Sequence, residues 1–345
     1  MRIHRFPLLL PLALVSCAPI LPSLGGSDDA RAAAAMRSAV ANDTAFVTVA
    51  GSSGFVAVSA PPYQSWAPTP AIVEPVPLGL NSKGDLFVGE DQPSGHLDEL
   101  VPPYAGSSSV GALSFAIGIV VDKHDDVWVA EDNHVQEYSP PSYRRTATLG
   151  HPNQQLNYPQ QIAALPSGQL AVGRTQRADG TVAPGALDIY TQSGAHHFTV
   201  RSITGIPYPQ GLVVDKSGDI IVAECSRCVS AGQTDNSLLM ISPPYKSVTK
   251  VLQELPNVTL EGMSIGPTGD LFVNENGSIV KYTEPFTSGH RLPHISTASA
   301  LHVNSAGDLI YIAGGSVYVL KSPYTGKPHL ILSTSGTLEQ IVTKT

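Results

Sequence analysis

The chain has 345 residues, a formal net charge of −8, 42% hydrophobic side chains and only 14% charged ones. An acidic surface argues against a nucleic-acid partner, because phosphate backbones demand a basic footprint. After the N-terminal segment no stretch approaches the roughly 20 apolar residues needed to span a bilayer.

Residues 1–17, MRIHRFPLLLPLALVSC, begin with Arg2 and Arg5, run apolar from Pro7 to Val15 and end on Ser16 and Cys17. That apolar run suits an export signal rather than a membrane span. The LVSC ending resembles a bacterial lipobox. The resemblance implies cleavage before Cys17, its lipidation, and an extracytoplasmic protein held to a bacterial membrane through that lipid; a plain secreted signal is the alternative. Cleavage removes two arginines and leaves 18 basic against 28 acidic side chains, a mature charge near −10. Residues 18–44, rich in Ala, Ser and Gly, read as a flexible tether with one short helix over Asp29 to Val40.

From residue 45 onward one pattern recurs. GLVVDKSGDIIVAE at Gly211 is echoed by GIVVDKHDDVWVAE at Gly118, PLGLNSKGDLFVGE at Pro77, GMSIGPTGDLFVNE at Gly262, QIAALPSGQLAVGR at Gln161 and ALHVNSAGDLIYIAG at Ala300. Each unit is an apolar run, a Gly-bearing turn and a second apolar run. A second marker follows: APPY ending at Tyr63, VPPY at Tyr104, SPPSY at Tyr143, SPPY at Tyr245, TEPF at Phe286 and SPY at Tyr324, with Tyr190 standing for it in the fourth unit. Proline cannot donate to a strand ladder, so each marker ends a third strand. Four short strands every 40 to 50 residues predict an all-β, seven-bladed β-propeller of four-stranded antiparallel blades. The C-terminal TLEQIVTKT supplies a lone first strand for the N-terminal unit, and pairing them closes the ring without an exposed edge. Uninterrupted apolar runs such as LFV and IIV fit strands buried on both faces. A stacked β-helix buries both faces too, but with shorter repeats.

The pattern P-x-G-h-h-h-D-x-x-G-x-h-h-V-A-E at Pro209 to Glu224 resembles the NHL repeat. That resemblance implies a propeller and says little of activity, since similar proteins include ligand-binding scaffolds, lactonases, lyases and protein-interaction modules.

Aligned units place Glu90, Glu131, Glu224 and Glu275 at the end of the second strand, with Arg174, Gly314 and Gly51 at that place in the fourth, seventh and first units. Converging carboxylates would hold a divalent cation such as calcium or magnesium, with Asn276 adding an oxygen, or raise one another's pKa. Alternatively each carboxylate accepts backbone N–H groups as a fixture of the repeat. The loops after these residues read as tight in the third, sixth and seventh units and long in the second, fourth and fifth. Cys225 and Cys228 sit in the fifth; without a helix for a redox motif or further Cys or His for zinc, a local disulfide is the expectation.

The resulting expectation is a monomeric scaffold without a cofactor that binds a protein or small molecule through its long-loop face. The alternative is a metal-dependent enzyme similar to propeller lactonases or streptogramin lyases, its cation held by Glu131, Glu224, Glu275 and Asn276.

Overall fold

The computed structural model describes residues 42–149, 159–178, 181–194, 197–206, 208–225, 235–256 and 258–344. The signal with Cys17, nearly all of the tether with its expected helix, and Cys228 lie outside the described residues.

The strands run in chain order through seven four-stranded sheets. β1 (Ala45–Ala50), β2 (Phe55–Ser59) and β3 (Ala67–Pro68) belong to blade 1. Blade 2 holds β4 (Pro75–Leu80), β5 (Leu86–Glu90), β6 (Gly95–Leu100) and β7 (Ser108–Leu113). Blade 3 holds β8 (Gly118–Val121), β9 (Val127–Ala130), β10 (Val135–Ser139) and β11 (Arg144–Leu149). Blade 4 holds β12 (Pro159–Ala164), β13 (Leu170–Ala178), β14 (Thr181–Gly194) and β15 (His197–Ile203). Blade 5 holds β16 (Pro209–Val214), β17 (Ile220–Cys225), β18 (Asp235–Ile241) and β19 (Lys250–Pro256). Blade 6 holds β20 (Leu260–Ile265), β21 (Leu271–Glu275), β22 (Ser278–Tyr282) and β23 (Gly289–Arg291). Blade 7 holds β24 (Ala298–Val303), β25 (Leu309–Ala313), β26 (Ser316–Leu320) and β27 (His329–Ser333), and the last strand, β28 (Thr337–Thr343), returns to blade 1. All pairings are antiparallel, and the innermost strands β4, β8, β12, β16, β20, β24 and β28 neighbour one another in a closed circuit. The all-β seven-bladed propeller expected from the repeat is the fold.

Its apolar core is divided into wedges. Seven buried clusters each join two adjacent blades, such as Phe46, Leu78, Val88 and Tyr104 between blades 1 and 2. Strands β5, β9, β17, β21 and β25 are buried at every residue, which explains the unbroken apolar runs.

Two local devices repeat with the blade. In the turn between first and second strands, an Asp or Asn accepts backbone N–H groups ahead of it: Asp215 Oδ1 takes Ser217 N and Asp219 N, both at 2.8 Å, and Asn304 Oδ1 takes Asp308 N at 2.7 Å. The turn closes on a left-handed residue, glycine at Gly84, Gly218 and Gly307, whose φ values lie between 83° and 89°. Asp125 and Asp43 hold the same place at φ 64° and 68°. In the Pro/aromatic marker, a cis X–Pro bond precedes an aromatic with positive φ at Tyr63, Tyr104, Tyr245, Phe286 and Tyr324. Each aromatic packs against the preceding blade: Phe46 meets Tyr104 edge-on at 5.1 Å, Phe87 meets Tyr143 at 4.6 Å and Phe272 meets Tyr324 at 5.3 Å. Tyr104, Tyr245 and Tyr324 donate their hydroxyls to the turn glycine of their own blade, to Gly84 O, Gly218 O and Gly307 O at 2.7, 2.8 and 2.5 Å.

Two sequence alignments shift by register. Tyr190 pairs with Leu170, the position of Tyr138 and Tyr282 in their third strands, so it is not the marker aromatic of blade 4. There the third and fourth strands instead join through a hairpin with Gly194 opposite His197. At the end of the second strand, Ala313 and Ala50 rather than Gly314 and Gly51 match Glu90, because they pair with Ala298 and Thr337 as Glu90 pairs with Pro75.

Ring closure concentrates hydrogen bonds at one residue. β28 pairs with β1 from Ala45–Thr343 to Ala50–Thr337. Beyond the strand end, Asp43 N donates to Lys344 O at 2.6 Å and Asp43 O accepts Tyr63 Oη at 2.6 Å. Asp43 Oδ1 accepts Ser305 N and Oγ of blade 7 at 2.7 and 2.8 Å. Removing that carboxylate should cost about 1 kcal/mol in Asp43→Gly. Asp43→Ala should lose about 1 kcal/mol more, since its Cβ is strained at this φ. Urea midpoints of the two variants check the order.

On β24, beside the same seam, burial pushes the His302 pKa down to about 4, with the Asp43 charge opposing, and its Nε2 has no hydrogen-bond partner. The equivalent positions carry Val120, Val213 and Val342, each opposite the second residue of its neighbouring strand. A folded-state pKa below the unfolded value favours the neutral ring, so this contribution is full above pH about 6.5 and is lost as pH falls toward 4. His302→Val should therefore flatten the pH dependence of the melting temperature between those values.

Candidate functional site

In a four-stranded antiparallel meander the second-to-third connections share a face with the segments leading into each innermost strand, here the hairpin face. The opposite turn face carries the first-to-second turns and the Pro/aromatic markers.

On the hairpin face the repeated glutamates bind their own blade. Glu90, 6% exposed, accepts Val73 N at 3.2 Å through Oε1, and Gln92 Nε2 and His96 N at 2.9 and 3.0 Å through Oε2. Glu131, 1% exposed, accepts Ser114 N at 2.7 Å and lies 3.3 Å from His134 Nε2. Val73 and Ser114 sit just ahead of β4 and β8, so each carboxylate staples the incoming connector to the second strand. In blade 6 the following residue does this work: Asn276 Oδ1 accepts Thr259 N at 2.7 Å. Glu275 is instead hydrogen-bonded by the Tyr282 hydroxyl, and burial raises its pKa. Glu224 is 3% exposed on β17. Among the described residues no group of three or more His, Cys, Asp or Glu side chains is placed to hold a metal ion. The staple arrangement needs no such convergence.

Blade 4 departs from the pattern. Arg174 pairs opposite Pro159, where blades 2, 3, 5 and 6 have glutamate, and its Nε donates to Asp188 Oδ2 at 2.7 Å. Asp188, 1% exposed, also accepts Ser202 Oγ at 2.6 Å, so the guanidinium is held by a carboxylate fixed from the fourth strand. Cys225, at the end of β17, is disulfide-bonded.

Sequence alignment missed two features of this face. Histidines accompany two of the stapling glutamates: His96 Nδ1 lies 3.2 Å from Glu90 Oε2, a counterpart of the His134–Glu131 pair in the next blade. The periodic pattern hides His96, which follows Glu90 by six residues where His134 follows Glu131 by three. Secondly, Glu74 and Glu339 join Asp91 and Asp132, the acids that the aligned units place after Glu90 and Glu131: Asp91 and Glu339 have raised pKa values, chiefly through burial and then through neighbouring charge, Glu74 and Asp132 acting on Asp91, and Asp91 and Glu74 on Glu339. These acids come from connectors and from β28, not from the repeated glutamate.

Loop lengths were partly as expected. The connections of blades 6 and 7 are two-residue turns, Asn276-Gly277 and Gly314-Gly315, all four with positive φ. In blade 2 the connection is Asp91–Ser94, no longer than Glu131–His134 in blade 3, and it is not a long loop. Gly95 N closes it on Gln92 O at 3.2 Å, and a Cβ on Gly95 would come within 2.6 Å of Glu90 O. In blade 4 the hairpin continues past Arg174 to the Ala178–Thr181 pair. In blade 5 the strands continue to Cys225–Asn236 and Asp235–Pro256. The blade 4 hairpin thus rises four residues past the end-of-strand position, whereas the described second-to-third pairing of its neighbour, blade 5, stops one residue past Glu224, its 226–234 connection lying outside the described residues.

Charge divides between the faces. Four of the nine lysines, Lys83, Lys123, Lys216 and Lys344, lie at first-to-second turns. Of the other five, Lys246, Lys321 and Lys327 lie in third-to-fourth connections and Lys250 and Lys281 at the adjoining ends of β19 and β22, so every lysine is toward the turn face. Glu74, Asp91, Asp132, Glu339 and the stapling glutamates occupy the hairpin face with no lysine among them.

The sequence matches no family profile and no curated protein. Solved structures do match. A protein from Lactobacillus plantarum superposes with a TM-score of 0.63 at 13% identity, over 88% of this chain and 99% of that one. The WD40 β-propeller domain of Doa1 gives 0.57 at 13% identity, over 81% and 89%. The extracellular domain of a putative one-component system from B. thetaiotaomicron gives 0.53 at 13%, over 80% of this chain and 38% of that one. The chain shares the propeller fold. At such identities the likeness is one of architecture.

If Glu90 and Glu131 are staples, Glu90→Ala and Glu131→Ala should each lower stability by about 1–3 kcal/mol, the cost of stranding buried donors. Chemical denaturation reads this; wild-type stability in both variants would release the carboxylates for a ligand.

Proposed function

We propose that this chain is an extracytoplasmic, lipid-anchored propeller scaffold with blades of the NHL type, which binds a protein or small-molecule ligand through its hairpin face. The observation that carries the reading is the extended hairpin of blade 4, next to the long 226–234 connection of blade 5, on a frame whose other second-to-third connections are short. Variation confined to neighbouring loops of a rigid scaffold is where recognition concentrates. Arg174 stands at the base of the blade 4 hairpin, oriented by Asp188, and suits an acidic or carbonyl-bearing group of the ligand. The lipobox-like LVSC supports attachment at Cys17.

Photo-crosslinking amino acids at Arg177 and Val182, with Asn276 as the control position, test the reading in cells of the source bacterium. Adducts are expected from the blade 4 hairpin and not from Asn276. A variant with residues 175–185 replaced by Asn-Gly should keep its melting temperature within a few degrees and lose the adducts, because a surface loop contributes little to global stability. Equal crosslinking at all three positions, or none at any, would overturn the proposal.

A further inference from the structure

The two ends of the described chain meet on the turn face. Asn42 and Asp43 precede β1 there, Lys344 follows β28 there, and Asp43 N donates to Lys344 O at 2.6 Å. Asp43 is further held by Ser305 and by Tyr63, so the segment toward Cys17 departs from a fixed point on this face.

The same face is built to show cations outward. Lys83, Lys123, Lys216, Lys246, Lys321 and Lys327 are all exposed. Its carboxylates fold inward: Asp85, Asp122, Asp125, Asp215, Asp219 and Asp270 are half-buried and Asp308 is buried. Their oxygens are occupied by the turns or by lysine: Lys321 Nζ donates to Asp308 Oδ2 at 2.6 Å, and Lys281 Nζ lies 2.9 Å from Asp270 Oδ2. Asp122 Oδ1 accepts His124 N and Asp126 N at 2.8 and 3.1 Å, and Asp125 takes Ser82 N and Oγ at 2.8 and 2.7 Å. Glu284 is the exposed exception. Formal charge on this face is close to balanced, but its outer layer is ammonium. The hairpin face carries the excess of carboxylate.

We propose that the turn face docks on anionic lipid headgroups, so that the propeller stands with its hairpin face turned away from the membrane. This rests on the anchored reading above and deepens it by assigning the membrane-facing surface. Attachment through a single lipid-bearing segment leaves rotation free, and orientation falls to electrostatics. An anionic surface attracts lysines that come within a Debye length, roughly 8–10 Å at physiological salt, and repels a carboxylate face. With the chain leaving from the lysine side, tether and charge favour the same orientation.

The test couples the full chain through Cys17 to a maleimide-bearing lipid in vesicles, with the Cys17→Ser chain as the uncoupled control. Coupling does not depend on whether the cell lipidates Cys17; the intact mass of protein extracted from cell envelopes reports that separately. Amine labelling read residue by residue should be about fivefold slower at Lys83, Lys216, Lys246 and Lys327 on phosphatidylglycerol vesicles than on phosphatidylcholine vesicles, as ion pairing with headgroups requires. Carbodiimide labelling of Asp91 and Asp132 should be the same on both, and high salt should remove the lysine protection. Lysine rates independent of lipid charge, or protection of Asp91 and Asp132 instead, would overturn the proposal. An unmodified Cys17 in cells would overturn the anchored reading alone.

Discussion

Antiparallel pairing of β28 with β1 is the constraint on which the rest of the molecule depends. Every blade has two apolar faces, and a sheet with two apolar faces is stable only when both are covered. In a ring each blade covers its neighbours, but the first and last blades cover each other only if the circle is completed. The chain completes it by building one blade from both of its ends, so closure uses the same backbone hydrogen bonds that hold the other sheets. Asp43, Tyr63, Asn304 and Ser305 reinforce the join with the bonds that Asp125, Tyr143, Asn81 and Ser82 make between blades 2 and 3. Closure therefore copies an ordinary blade-to-blade contact rather than adding a special one.

That economy shapes the candidate site. Residues repeated with the blade are occupied by the frame: Glu90 and Glu131 bind connector N–H groups, Glu275 takes the Tyr282 hydroxyl, and the aspartates opening the turns bind turn N–H groups. Capacity for recognition is left where the pattern breaks, at Arg174, in the extended hairpin of blade 4, and in the acids around Glu74 and Asp91. The replacement of glutamate by arginine in blade 4 is coupled to Asp188, a position that carries an acid in blade 2 (Asp98) but not in blades 5, 6 and 7, where Leu239, Val280 and Tyr318 stand across from the matching second-strand residue. A buried carboxylate opposite a guanidinium is costly to retain without a partner, so the two residues are best understood as one substitution.

The polarity of the frame gives its two faces different roles. Turns between first and second strands need Asp or Asn to satisfy backbone donors, and lysines fill the exposed positions beside them. Connections on the other face need short acids to hold the incoming chain. The confinement of lysine to one face, with that face's carboxylates turned into its turns, thus follows from which backbone groups each end of a blade leaves unpaired, and any orienting field the protein carries is a by-product of how its blades are stapled.

Fold class, blade number and closure were legible in the residues themselves, because burial on both faces writes apolar runs at a fixed period and each turn requires its own Asp, Gly or Pro. Tyr190 and the end-of-strand alanines were misaligned, since a period of about 43 residues places elements without fixing register, and one residue of slip moves a side chain to the other face. The blade 2 connection read as long because EDQPSGHLDE contains turn residues, whereas the Gln92–Gly95 bond and His96 on Glu90 fold it short. The sequence alone determined that seven similar sheets must pack around a ring, since local burial and turn chemistry suffice for that. Only the tertiary structure decided that Glu90 and Glu131 serve their own connectors, that Arg174 answers Asp188, and that both ends of the described chain lie on the lysine face, because these depend on which backbone donors come within hydrogen-bond reach once distant segments are brought together.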